Sequence, residues 1–353
     1  MYISGGKIVD ILRGLYYNIR RLIKKIKYTF GDCVMWKKKI SKSAIAYMAL
    51  IAVVLIWSLA PIVANLKIIE DNYSPGMIIA LRTLFALLAL AVINGKKMKE
   101  INKEYLKVAI PSGCFLATAT LCQMIGYRYG AAPGESAVLE NLALIVIPIL
   151  LYFCTKKAPG WTKILAAVLC FIGSAIIALA GSNGDLFSVS LGKWLACIAG
   201  FLYGANFVIT GVYATKLNSG VFVFIQLSVQ TVVAFAYAFI GEKWLLAEEH
   251  IFAYTFEFGP LMVLALMGIV ATGICWSLRA YCLKFIPVMV VSVIMPFSTV
   301  LTGIWSLIGG MEKFTWNLLV GGLIVVASIL IAELFEKPTD EEKEKIGLPL
   351  EKE

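Results

Sequence analysis

Charge is scarce in this chain, and so are the residues that carry most enzyme chemistry. Only 15% of the 353 residues are charged and a single one, His250, is histidine; a soluble domain would carry about 25% charged residues. There is no H-E-x-x-H, G-x-S-x-G, Walker loop or G-x-G-x-x-G, which leaves hydrolytic, ATP-driven and dinucleotide-dependent chemistry without a motif. The expectation is a protein that is not an enzyme, with no catalytic residues, no cofactor and no metal site. The eight cysteines form no C-x-x-C. Seven of them (Cys114, Cys122, Cys154, Cys170, Cys197, Cys275 and Cys282) fall in or at the ends of apolar runs, where cysteine serves as a small apolar packer.

What is present is apolar. Hydrophobic residues make up 60% of the chain and the mean hydropathy is +0.85. Runs of about twenty apolar residues, the length that crosses a ~30 Å hydrocarbon core, recur between polar or Gly/Pro punctuation. They predict ten spans, at 43–65, 75–94, 108–128, 133–154, 161–181, 191–215, 220–240, 259–283, 287–309 and 316–335. Continuous runs of this kind exclude an outer-membrane barrel, whose strands would be short and alternating. The reading is an all-α integral membrane protein.

Positive charge is distributed unevenly about these spans. Of 32 Lys and Arg, 25 fall in residues 1–42, the even-numbered loops and the tail; Lys67, Arg128, Lys193, Lys243 and Lys313 lie opposite. The positive-inside rule puts both termini in the cytoplasm of a multi-pass cell (inner or plasma) membrane protein. The net charge of +10 is therefore topological and gives no reason to expect nucleic acid. Within the cytoplasmic segment 1–42, residues 7–27 alternate Ile and Leu with Lys and Arg at helical spacing. That pattern predicts a basic amphipathic helix lying on the anionic cytoplasmic leaflet. Residues 336–353 form a charged cytoplasmic tail.

The chain also repeats itself. "PGWTKILAAVLCFIGSA" (159–175) aligns without gaps with "FTWNLLVGGLIVVASIL" (314–330), so that Trp161 falls on Trp316. "SPGMIIALR" matches "NSGVFVFIQ", pairing Gly76 with Gly220 and Arg82 with Gln226. "ATATLCQMIGY" (117–127) matches "ATGICWSLRAY" (271–281), and Trp57 matches Tyr203. The two halves, 43–181 and 191–335, hold five spans each, an odd number, so they are expected to insert with opposite orientations. Inverted repeats of this kind build many secondary transporters, with the site near the midplane where they meet.

These segments resemble the drug/metabolite transporter superfamily, in its EamA type with two five-helix repeats. The resemblance is carried by "LIWSLAPIVANLK" (55–67), "SPGMIIALRTLFALLAL" (74–90) and "GYRYGAAPGESAVLENLALIVIPILL" (126–151). In the second half "GFLYGANFVITGVYATK" (200–216), "GIVATGICWSLRAYCLKFIPVMVVSVIMPFSTVLTG" (268–303) and "GGMEKFTWNLLVGGLIVVAS" (309–328) follow in order. Two positions depart from it. Lys157 stands where the first repeat usually ends in a glutamate, as the second does at Glu312, and Glu140 is not a usual family residue.

The resemblance implies a central cavity surrounded by spans 1, 3, 4, 6, 8 and 9, with 5 and 10 peripheral. Trp57, Gln123, Glu140, Asn141, Tyr203, Asn206, Thr272 and Trp276 are the candidate substrate-binding residues. Glu140 shares a small-residue stripe with Ser136, Ala137 and Ala143, while Leu139, Leu142, Val146 and Ile149 take the other side, so it is expected to face protein. A carboxylate at that depth needs a partner or a proton. Arg82 lies equally far from the outer end of span 2, and the two form a candidate coupling or structural ion pair. Arg279, near the cytoplasmic end of span 8, reads as a snorkelling side chain. Gly200-x-x-x-Gly204 allows close helix approach and marks a candidate homodimer face.

The function expected is secondary active transport of small organic metabolites, amino acids or related polar compounds, by alternating access, with protons as a candidate coupling ion. A cationic-drug or quaternary-ammonium carrier and a non-transporting membrane scaffold or sensor are the alternatives.

Overall fold

The computed structural model describes residues 42–70, 72–131, 133–156, 160–178, 190–242, 257–311 and 314–334. The basic segment 7–27, the tail 336–353, His250, Lys157 and Glu312 lie outside them. Among the described residues all regular structure is helical. The elements are α1 (Lys42–Ala64), α2 (Pro75–Asn94), α3 (Lys103–Arg128), α4 (Pro133–Leu139 and Ala143–Thr155), α5 (Trp161–Ala178) and α6 (Leu191–Tyr213). They continue with α7 (Ser219–Gly241), α8 (Phe258–Cys282), α9 (Val288–Ile308) and α10 (Trp316–Leu334). Seven helices are long and apolar enough to cross a membrane; the apolar stretches of α4, α5 and α10 are shorter.

Helix starts follow from local chemistry. Ser74 caps α2, its hydroxyl accepting the Met77 amide at 3.4 Å, with Pro75 in the first turn where no donor is needed. Asn102 caps α3 by accepting the Glu104 and Tyr105 amides at 2.9 and 3.2 Å. Asn218 does the same for α7, accepting Gly220 and Val221 at 3.1 and 3.4 Å. Lys156 ends α4 in the left-handed region, at φ 58°.

Four helices are irregular. A 3-10 turn, Glu140–Leu142, interrupts α4, and α7 ends in the π turn Tyr237–Gly241. The middle of α8, Met267–Ile274, is π-helical, and α9 breaks at Met295-Pro296 between Ile294 and Phe297. Spans 4 and 9, expected as continuous helices, are thus each interrupted. Away from water such irregular backbone is tolerated where protein or a cavity surrounds it, not against lipid.

Packing relates the halves. α3 packs on α6 and α1 on α8; α3 on α7 and α2 on α8; α4 on α6 and α1 on α9. Shifting each label by five exchanges the members of every pair of contacts. Among the other contacts, those of α2 with α7, α4 with α9 and α5 with α10 map onto themselves. α2 and α7 run antiparallel. Gly76 at the start of α2 lies against Tyr237 and Ala238 at the end of α7, and Gly220 at the start of α7 lies against Asn94 at the end of α2. Glu242, just beyond α7, accepts the Gly76 amide at 2.7 Å.

The aligned pair Trp161 and Trp316 open α5 and α10 at 74% and 72% exposure, as aromatic residues of a membrane interface do. Burial, and then Lys97 close by, lower the pKa of Lys284. The α2–α3 and α8–α9 connections therefore lie on one side of the bundle.

Candidate functional site

A cavity of about 220 Å³ lies where the halves meet. Its walls are α1, α3 and α4 from one half and α6, α8 and α9 from the other, with Arg82 reaching in from α2. α5 and α10 take no part in it.

One wall is aromatic. The Trp57 indole donates to the Ala271 carbonyl at 2.7 Å, within the π-helical stretch of α8, and so ties α1 to α8. Trp57 and Trp276 ring centroids are 5.0 Å apart, and Tyr203 lies 6.4 Å from Trp276. Tilted pairs at this spacing add to burial through the ring quadrupoles. Thr272 is buried in the same π-helical stretch and faces the cavity.

A polar chain continues from Tyr203. Glu140 Oε1 accepts from Gln123 Nε2 at 2.8 Å and from the Ser136 hydroxyl at 2.9 Å. The Tyr203 hydroxyl lies 3.1 Å from Gln123 Oε1 and 3.2 Å from Thr120 Oγ1, and Gln230 Nε2 donates to Thr120 at 2.9 Å. Asn141 Oδ1 accepts from Thr299 at 3.3 Å, while its Nδ2 is buried without a partner among the described residues. In low-dielectric surroundings such networks hold their members rigidly.

Glu140 and Arg82 line the same cavity but form no ion pair among the described residues. This corrects the pairing expected from equal depth. Gln123 and Ser136 already occupy one carboxylate oxygen, and α2 makes its main contacts with α7, α8 and α3, not with α4. Depth along a span fixes one coordinate and leaves the direction round the bundle open.

Arg279 is a second correction. It does not snorkel: it is 3% exposed and sits at the cavity wall. Its guanidinium carbon lies 4.2 Å over the Trp276 ring and 4.9 Å over Phe207, and Nη2 donates to Asn206 Oδ1 at 2.8 Å. Cation–π contact of this geometry favours a desolvated guanidinium. Asn206 does not reach the cavity. It stands behind the wall, fully buried, donating to the Ser112 carbonyl and hydroxyl at 2.9 and 3.0 Å and holding Arg279 in place.

α4 is brought in by two glycines. A β-carbon on Gly200 would lie 2.7 Å from the Glu140 carbonyl oxygen, and one on Gly204 would lie 3.1 Å from Val146. The Gly-x-x-x-Gly pair therefore receives α4 within the chain, and no free face is left there for a partner. Leu139 and Val146, on the side of α4 opposite the small residues, are buried too, whereas Ile149 is exposed.

A protein-family model, the EamA-like transporter family, matches residues 44–179 and again 190–334. The chain belongs to the EamA-like transporter family. As such it is a multi-pass membrane protein of transporter type, and the cavity lies between the two EamA-like units. A solved structure described as "Crystal structure of protein" is similar at 15% identity and a TM-score of 0.64, over 82% of this chain and 99% of its own; the likeness is one of fold. No curated protein matches the chain.

Of the residues named from sequence, Trp57, Arg82, Gln123, Glu140, Asn141, Tyr203, Thr272 and Trp276 line this EamA-like cavity. Sequence reasoning missed Arg279 and the role of Ser136. The repeat alignment held a signal for the first, because Arg279 falls on Ile125, a charge opposite an apolar residue.

Proposed function

We propose that this EamA-like protein is a secondary active transporter of small polar organic metabolites, with amino acids or related compounds as its substrate class. Ten spans in two inverted five-helix halves would work by alternating access. One observation carries the reading: a cavity with charged walls, enclosed by three helices from each half, at the place where the halves pack together. The antiparallel α2–α7 pair and the five-helix periodicity of the contacts support inversion of the halves. The irregular helices α4, α8 and α9 supply half of the cavity's walls, and the breaks in α4 and α9 suit the discontinuous helices of secondary transporters.

Glu140 serves in this reading as the coupling group, with protons the candidate ion. One of its oxygens is held by Gln123 and Ser136 and the other has no protein partner among the described residues. The charge asymmetry supports cytoplasmic termini in the cell membrane, and the shared side of Lys97 and Lys284 agrees with it. Residues 7–27 would rest on the anionic leaflet. A scaffold would have no use for buried charge lining a cavity, which disfavours that alternative; a sensor would bind a ligand there without moving it, and the uptake test separates the two.

The test is uptake by the full-length protein in proteoliposomes, across a panel of labelled polar metabolites, with and without a pH gradient. Accumulation of at least one compound, abolished by dissipating the gradient, is the expected result. No movement of any compound, by uptake or by exchange, would overturn the reading.

A further inference from the structure

The groups facing the cavity do not balance in charge. Arg82 and Arg279 bring two guanidinium groups, and Glu140 brings the one carboxylate among the described lining residues. Arg82 makes no hydrogen bond or ion pair with the described residues, and its Nε is buried without a partner. Arg279 is held at Nη2 by Asn206 and from above by Trp276, yet its Nε is buried and unpartnered as well. Glu140 gives its Oε1 to Gln123 and Ser136, and one carboxylate can neutralise at most one of the two cations. Intramembrane cations without partners are expensive and are kept where a pathway uses them.

We infer that the ligand supplies the missing negative charge: it is an organic acid with one carboxylate, a net charge of −1 and a flat apolar body. The identification as a transported substrate rests on the transporter reading; the binding chemistry does not. The planar donor fork of arginine suits a carboxylate, which it can bind through two parallel hydrogen bonds. Trp57, Trp276 and Tyr203 give the apolar body an aromatic wall on the same side as Arg279. With Glu140 ionised, one negative charge brings the formal total of the cavity to zero. A phosphate monoester, at about −2 near neutral pH, overshoots that balance, and a zwitterion leaves it unmet, which narrows the class proposed above from amino acids to their related acids, carboxylates that carry no ammonium group. A quaternary ammonium compound would face two like charges for one opposite, and juxtaposed like charges oppose binding.

Four compounds sharing the indole ring, with an aryl phosphate beside them, test this on the detergent-purified full-length protein by titration calorimetry. Indole-3-acetate is the anion, indole-3-acetamide the neutral form, tryptamine the cation and tryptophan the zwitterion; phenyl phosphate probes the alternative acid. Indole-3-acetate is expected to bind at least tenfold more tightly than any of the others. Arg82→Gln should weaken indole-3-acetate far more than indole-3-acetamide and so remove most of that preference. Glutamine is chosen because Gln226 occupies the aligned position in the other half and packs there fully buried. Equal or tighter binding of tryptamine, acetamide, tryptophan or phenyl phosphate overturns the inference. So does an unchanged preference in Arg82→Gln, or failure of indole-3-acetate to bind. The series on the unmodified protein decides the matter even where the variant does not fold. Anion-selective binding without uptake into vesicles would sink the transporter reading and leave this one standing; uptake without anion preference would do the reverse.

Discussion

Gly200 of α6 lies directly against the backbone of Glu140, so close that a β-carbon there would sit 2.8 Å from the Glu140 Cα. The contact falls at the 3-10 turn of α4, where the helix is interrupted. A main-chain surface cannot swing aside as a flexible side chain can. Gly200→Val should therefore lower stability by about 1–3 kcal/mol, the usual range for overpacking, and displace the carboxylate from Gln123. Thermal unfolding in detergent checks it; an unchanged midpoint would show that α4 and α6 are less tightly apposed than this.

Trp57 makes a single hydrogen bond, to the Ala271 carbonyl of α8. Trp57→Phe keeps an aromatic ring beside Trp276 and removes the donor. The expected loss is about 1 kcal/mol, seen as a lower unfolding midpoint, with ligand binding weakened several-fold. Binding at the unmodified level would mean that the bond is incidental to the cavity's shape.

Glu140→Gln preserves size and the ability to accept from Gln123 and Ser136, so the variant should fold with near-normal stability. Gradient-driven accumulation should disappear while exchange of internal for external substrate persists. Accumulation at the normal rate would reduce Glu140 to a structural member of the polar chain.

Single cysteines introduced at 96–103 should be protected from a membrane-impermeant thiol reagent in intact cells, and those at 243–250 should react. The comparison is made in a background without the native cysteines. Labelling of 243–250 only after permeabilisation would invert the orientation.

Much of the bundle was legible in the sequence because hydropathy and repetition are properties of long stretches. The positions of the helices, and the appearance of Trp57, Tyr203 and Trp276 on one wall, come from such stretches. The irregular backbone was not legible. Pro296 marks the break in α9, but the turn at Glu140–Leu142 contains neither Pro nor Gly, and Gly268 and Gly273 in the π-helical stretch of α8 do not by themselves specify a π-helix. The charge partners escaped for another reason. Whether Arg279 turns toward headgroups or toward Trp276 depends on which face of α8 meets α6, a tertiary matter. The Arg82–Glu140 pairing failed likewise, since it used depth without azimuth.

The halves pack with near two-fold regularity, yet Arg82 faces Gln226 across that relation and Arg279 faces Ile125. With inverted halves of identical chemistry, the two facings of the cavity would be related by a two-fold rotation and equal in energy. Unequal side chains at related positions lift that degeneracy. Under the alternating access proposed above, the empty protein would rest preferentially open to one compartment, and the apparent affinity measured from the other would be reduced by the rarity of the competent state. Import and export by the same cavity would accordingly saturate at different concentrations, and the pair Arg82/Gln226 is where exchanging two residues should shift that bias.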